Sequence, residues 1–252
     1  MIKTIFKKEI KETLFAMKGI IWFFITAVLF SVLCLAVVSV KELSLMAQTE
    51  VIMTFSKLAL GVGAAISMVL SAVSFSHERE ADTLESLLLT PVSKFQLLAG
   101  KLSAALVLAI GAFFIAVPYL FALCYKTGTV SMAIGLLFLM GFIAALAFSM
   151  IGSGISILTG NSKTAIITTI IVLVITAIPS FLTTTTKKAG FAFVLNKISP
   201  VSSTFNLMKE VIINKRGFET INPMLISVFV FFCLAAVFLV YCARHMSYKG
   251  GE

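Results

Sequence analysis

Ser76-His77-Glu78-Arg79-Glu80-Ala81-Asp82-Thr83-Leu84-Glu85-Ser86-Leu87-Leu88-Leu89-Thr90-Pro91-Val92-Ser93-Lys94 is a densely charged segment of an otherwise apolar chain, and it lies between two apolar runs long enough to cross a bilayer. On a helical wheel Glu78, Asp82 and Glu85 fall on one side, while Leu84, Leu87 and Leu88 gather on the opposite arc with Glu80 intruding. A helix of this kind can rest one face on the bilayer or a neighbour and offer the other to a soluble partner. Thr90-Pro91 ends it, because the residue before a proline is pushed out of the α region and proline donates no backbone hydrogen bond. Ser93 with Gln96 three residues on reads as a capping box that starts a new helix. The predicted order is a helix over 77–91, a sharp corner, and a membrane helix.

Working outward, 60% hydrophobic residues, 12% charged residues and a mean hydropathy of +1.09 exclude a water-soluble globule, since too little polar surface exists to cover the apolar mass. The fold class expected is an all-α integral membrane protein. The net charge of +9 would suggest a nucleic-acid partner in a soluble protein. Here the basic residues sit at the ends of apolar runs and in residues 1–18, which is membrane topology and not a phosphate-binding stripe. Cys34, Cys124, Cys233 and Cys242 show no paired short spacing, so neither a zinc site nor a disulfide framework is indicated. The first apolar run follows a long lysine-rich segment and exceeds a signal core, so no cleavable signal peptide is expected.

Residues 1–18 form a candidate amphipathic helix. Ile2, Ile5, Phe6, Ile10, Leu14 and Met17 share one face, and Lys7, Lys8, Lys11 and Lys18 the other. It should lie in the headgroup plane, with the N-terminus cytoplasmic. Charge-free runs at Gly19–Val40, Leu58–Ser76, Leu102–Tyr125, Thr127–Ser162, Thr164–Thr186 and Thr220–Ala243 give six spanning helices and place both termini on one side. The fourth run is long enough for one span plus a wet extension. The segment 187–221 is then the sizeable external connection. Within it Val201, Phe205, Met208 and Ile212 recur at helical spacing behind Ser199-Pro200, an N-cap followed by proline at the first helical position. This reads as an interfacial or re-entrant helix, or as an exposed loop helix. Gly63, Ser67 and Ser71 in the second run, and Gly152, Ser156 and Gly160 in the fourth, repeat at four-residue spacing and mark helix packing; a substrate path lined by the same hydroxyls is the competing reading. Pro118 and Pro179 fall within spans, where local kinks are expected.

The chemistry missing from the runs is equally informative. No acidic, basic or histidine residue interrupts them, which disfavours a proton- or ion-coupled transporter. No Gly-x-x-x-x-Gly-Lys-[Ser/Thr] occurs, so energy for any work must come from another chain. His77-Glu78-Arg79-Glu80-Ala81 lacks the second histidine of a zinc-protease helix. With His245 the only other histidine, no nucleophilic triad can be assembled inside the membrane. No catalytic residue, metal site or cofactor is expected in this chain.

From Glu78 to Ser93, followed by Leu97-Leu98-Ala99-Gly100-Lys101, the sequence resembles the first cytoplasmic loop of ABC-2 type transporter permeases. That family's pattern is roughly Glu-Arg-Glu-x-Gly-Thr-Leu-Glu-x-Leu-Leu-x-Thr-Pro-Val-Ser, then a Gly-Lys opening the third helix. The basic amphipathic lead-in, the six spans, Ser199-Pro200-Val201-Ser202 before the last span and the short basic tail extend the likeness over nearly the full length. The resemblance implies a non-catalytic exporter subunit in the cell membrane, multi-pass, with both termini cytoplasmic. It also implies a partner ATPase that carries ATP and Mg, and pairing with a second copy or a related permease. Glu78, Arg79, Glu80, Asp82, Thr83, Leu84, Glu85, Leu88 and Pro91 would form the coupling helix on which that ATPase docks. Membrane lipids are further partners, and the charge-free spans are compatible with amphipathic drugs, peptides or lipids as substrate. A passive channel or membrane scaffold working without an ATPase is the alternative. Asp82 stands where the family usually has glycine, which favours a continuous helix over a bend and adds a negative charge facing the partner.

Overall fold

A computed structural model describes residues 9–11, 13, 17–39, 48–83, 93–124, 130–181, 199–214 and 218–244. Among these residues the chain is helical, with no strand. In order, the helices are α1 (Met17–Ser39), α2 (Gln48–Glu80), α3 (Lys94–Cys124), α4 (Val130–Leu158), α5 (Ser162–Phe181), α6 (Pro200–Ile212) and α7 (Phe218–Arg244). All but α6 are long and apolar enough to cross a membrane. Helix is the required answer for such a sequence, because hydrocarbon offers backbone amides no partner and each span must satisfy its own.

Two helices start well before their charge-free runs, for one physical reason. A helix continues beyond the hydrocarbon as long as its backbone ladder is satisfied, so charged residues near the interface belong to the spans' helices. Thus α2 begins at Gln48, not Leu58, and includes Glu50 and Lys57, while α3 begins at Lys94, not Leu102. The fourth run, read as one span plus a wet extension, holds the helix Val130–Leu158, and α5 opens at Ser162 across a turn of Thr159, Gly160 and Asn161. The helix expected over 77–91 does not start at 77. Residues 77–80 are the last turn of α2, and 84–92 lie outside the described residues.

The bundle is centred on α2 and α4. Their approach is so close that a Cβ on Gly152 would stand 2.3 Å from the Met68 carbonyl oxygen and 3.2 Å from Ser71 Cβ. Small residues permit this contact, which is how helices associate where no hydrophobic drive separates protein from lipid. Phe113 of α3 wedges its ring between the two: a Cβ on Gly63 of α2 would meet that ring at 2.2 Å, and one on Gly141 of α4 at 2.7 Å. Gly63 therefore faces α3, and Gly160 lies in the α4–α5 turn with nothing within 4 Å of its missing Cβ. Ser67 is buried and donates to Ala64 O, and Ser71 is buried beside Gly152.

Around this centre α1 packs on α3, tied by Ser31 Oγ to Tyr119 Oη at 2.7 Å. On the other side α7 meets α4 through Phe148 and Phe231, centroids 5.5 Å apart. Phe24, Ile175 and Phe229 are exposed on α1, α5 and α7, as lipid-facing surfaces require. The short α6 is capped as its sequence indicates: Ser199 Oγ accepts from Ser202 N, and Pro200 takes the first helical position. Ser199 Oγ also donates to Thr176 O within α5, and Leu207, Met208 and Ile212 are buried. Hence α6 is seated in the bundle and is not an exposed loop helix.

Candidate functional site

At the end of the bundle where α2 stops, its last three residues reach into three different neighbours. Glu78 Oε1 lies 2.5 Å from Lys101 Nζ of α3. Lys101 is nearly buried, stands over the Phe75 ring at 5.3 Å, and has Glu9 Oε1 at 3.6 Å, so one ammonium joins the N-terminal segment, α2 and α3. Arg79 sends Nη1 to Thr159 O at 2.9 Å and Nη2 to Ile157 O at 3.0 Å. Glu80 accepts from Ser162 N at 3.0 Å through Oε1 and from Ser162 Oγ at 2.5 Å through Oε2.

The signs suit the places. A helix C-terminus presents unsatisfied carbonyls and partial negative charge, and an N-terminus presents amides and partial positive charge. Arg79 takes the C-terminus of α4, and Glu80 takes the N-terminus of α5. Asn161 completes the second cap, its Oδ1 accepting from Lys163 N at 2.7 Å. One turn deeper, Ser156 Oγ of α4 accepts from Phe75 N at 3.0 Å and Ser76 N at 2.9 Å, so an α4 hydroxyl touches the backbone of α2 itself.

Beyond Glu80 the chain turns sharply. Thr83 N donates to Glu78 O at 3.0 Å, Asp82 N to Arg79 O at 3.2 Å, and Asp82 has φ 53°. This pair of bonds with a left-handed residue is the Schellman ending. The expectation that Asp82 would keep the helix continuous is therefore corrected. Asp82 occupies the glycine conformation of the family's pattern, because aspartate is among the few residues that visit that region. On the far side of the turn, Ser93 and Gln96 exchange hydrogen bonds at 3.3 Å, the reciprocal capping box read from the sequence.

Of the residues assigned to partner docking, Glu78, Arg79 and Glu80 are thus engaged within the protein, while Asp82 and Thr83 are exposed with His77 beside them. Leu84, Glu85, Leu88 and Pro91 lie outside the described residues. Lys101 was legible only as part of a motif. Once Ser93 is taken as the cap, however, Lys101 falls two turns inside α3, where a lysine needs an anionic partner. Thr159 and Ser162 left no signal of their own, since a threonine or serine at a turn is ordinary.

Toward the opposite end, α2, α4, α5, α6 and α7 enclose a cavity of about 610 Å³. Its depth is lined by Ala64, Ala65, Ala144, Ala147, Phe148 and Leu173. The polar residues with side-chain hydroxyl or amine groups among the described lining are Thr54, Lys57, Ser180 and Thr204. Lys57 Nζ is 5.7 Å from the centroid of the Phe205 ring. No cluster of metal-ligating side chains occurs among the described residues.

Six apolar helices long enough to span, among the described residues, with a charged cluster at one end of the bundle, define a polytopic membrane protein. Residues 3–248 match the family described as ABC-2 family transporter protein, and the chain belongs to that family. Members normally work with a cytoplasmic ATPase subunit and are themselves generally non-catalytic. No curated protein matches the chain.

Proposed function

We propose that this chain is the transmembrane permease subunit of an ATP-driven exporter, with a separate cytoplasmic ATPase seated on the segment after Glu80 and with a second permease copy or a related permease completing the assembly. ATP and Mg belong to the ATPase. The observation that carries the reading is the three-way attachment of Glu78, Arg79 and Glu80. Force applied beyond Glu80 reaches α3 through Lys101, and reaches α4 and α5 through the turn that Arg79 and Glu80 hold. Since α2, α4 and α5 also wall the cavity, displacement at one end of the bundle reshapes the space at the other. Asp82, Thr83, Glu85 and Leu88 supply the docking surface, with Pro91 fixing the corner into α3.

The test is purification of the tagged protein from its native membrane with Glu85 and Leu88 changed to alanine. Among the described residues, 78–80 are held by Lys101, Ile157, Thr159 and Ser162, and all four are unchanged in this variant. Wild type is expected to bring down a nucleotide-hydrolysing partner, and the variant to lose it or its stimulation by substrate. Recovery of the wild-type chain with no such partner would instead favour a passive channel or scaffold.

A further inference from the structure

Three buried hydroxyls at one level of the bundle name a ligand. We propose that Ser71 of α2, Ser153 of α4 and Thr169 of α5 bind water inside the membrane-spanning region, between the cavity and the charged end.

A serine or threonine within a helix can satisfy its own hydroxyl by donating it to the carbonyl three or four residues back. Ser67 and Ser76 of α2, Ser149 of α4 and Thr176 of α5 do so. Ser71, Ser153 and Thr169 are no more than 1% exposed, and their hydroxyls meet no partner among the described residues. An unpaired buried hydroxyl costs stability that alanine or valine at the same place would not. Ser56 carries the fourth such hydroxyl among these residues, about 22 Å further out along α2, and stands apart.

The three share one depth. Ser162 at the start of α5 bonds to Glu80 at the end of α2. From that contact Ser71 lies nine residues back along α2 and Thr169 seven residues on along α5, about 14 Å and about 10 Å of axial rise. Ser153 adjoins Gly152, whose missing Cβ would stand 3.2 Å from Ser71 Cβ. Further out on the same faces, Ala64 and Leu173 line the cavity, two turns from Ser71 and one turn from Thr169.

The surroundings select water. Along these helices the nearest ionisable side chains are His77, six positions beyond Ser71, and Lys163, six before Thr169, so an ion would lie there without a counter-charge. A larger polar molecule is shut out by the close approach of α2 and α4 at Gly152. A buried water typically makes about three hydrogen bonds to groups otherwise unsatisfied, and hydroxyls serve it as donor and acceptor. For an exporter in which the ATPase displaces α2, a consequence that rests on that reading, water contacts can be exchanged as α2 moves against α4 and α5, and no hydroxyl is stranded.

The experiment is X-ray radiolytic footprinting of the purified full chain in detergent, read at Met68, with unfolding temperatures measured beside it. Met68 is fully buried and precedes Ser71 by three residues, so their side chains adjoin on one face of α2. Hydroxyl radicals formed from water bound there oxidise Met68 where bulk solvent does not reach. Wild type is expected to show Met68 oxidation from the shortest exposures, and the double variant Ser71→Ala/Ser153→Ala to reduce it several-fold. Thr169→Val keeps the shape and removes the hydroxyl. It should lower the unfolding temperature by a few degrees, because the water loses a partner. A dry layer gives the opposite sign, since removing an unpaired hydroxyl is stabilising. An unchanged or raised unfolding temperature in Thr169→Val would overturn the proposal, as would Met68 unoxidised in wild type or oxidised equally in the double variant. The chain is measured alone, so the outcome and the recovery of a partner ATPase are independent.

Discussion

The guanidinium of Arg79 and the carboxylate of Glu80, neighbours in sequence, grip the two sides of one short turn: Arg79 holds the carbonyl end of α4, and Glu80 holds the amide end of α5. Replacing Arg79 with alanine leaves the Ile157 and Thr159 carbonyls without their charged donor. Thermal unfolding in detergent should register a loss of about 2 kcal/mol, the range for hydrogen bonds to a charged group. Arg79→Lys should recover only part of it, because an ammonium cannot fork to two carbonyls as a guanidinium does. A lysine variant as stable as wild type would show that the fork is idle.

Lys101 has a different kind of dependence. Its side chain is 5% exposed and its partner Glu78 18% exposed, so Lys101→Met strands a carboxylate in a partly buried place. The single change should cost about 3 kcal/mol, as breaking a buried pair does, and Glu78→Gln added to Lys101→Met should restore most of it. Additive losses in the double variant would mean that the pair is not coupled.

At Asp82 the sign is reversed. A residue with φ 53° carries the strain of the left-handed region, and glycine relieves it. Asp82→Gly should stabilise the protein by up to about 1 kcal/mol, and Asp82→Val should destabilise it because a β-branched side chain tolerates that region least. The comparison is one of unfolding temperatures, and a destabilised glycine variant would contradict the turn described.

The tight seam predicts a contrast between glycines. Gly152→Ala drives a methyl group against the Met68 carbonyl, and neither backbone can retreat without parting α2 from α4. The expected loss is about 2 kcal/mol, typical of overpacking. Gly135→Ala meets nothing within 4 Å and should be neutral or slightly stabilising through helix propensity. Similar behaviour of the two variants would argue against the seam.

How far the sequence alone reached depends on whether a feature is local. The six spans, the Ser93–Gln96 box and the Ser199-Pro200 start of α6 were legible because each depends only on residues of one continuous stretch of chain. The destinations of Arg79 and Glu80 were not, since Thr159 and Ser162 lie some eighty positions away and nothing about them is unusual. Charge on a wheel pointed to a partner; in the structure Arg79 and Glu80 engage the α4–α5 turn, whose bare carbonyls and amides stand within their reach, and Glu78 engages Lys101. Asp82 misled for a related reason: an aspartate in place of the usual glycine reads as a continuing helix, whereas the turn onto the Glu78 and Arg79 carbonyls holds it in the left-handed region.

The grip on the α4–α5 turn also fixes how many residues α2 may contain. Inserting a single residue between Met68 and Glu80 would turn everything after it by about 100° around the helix axis. Arginine and glutamate would then no longer face the termini whose signs they match. Over evolutionary time this stretch can therefore exchange side chains on its lipid-facing side, but length changes are closed to it unless α4 and α5 shift their own register in step. Insertions and deletions in relatives should fall before Met68 or after Thr83.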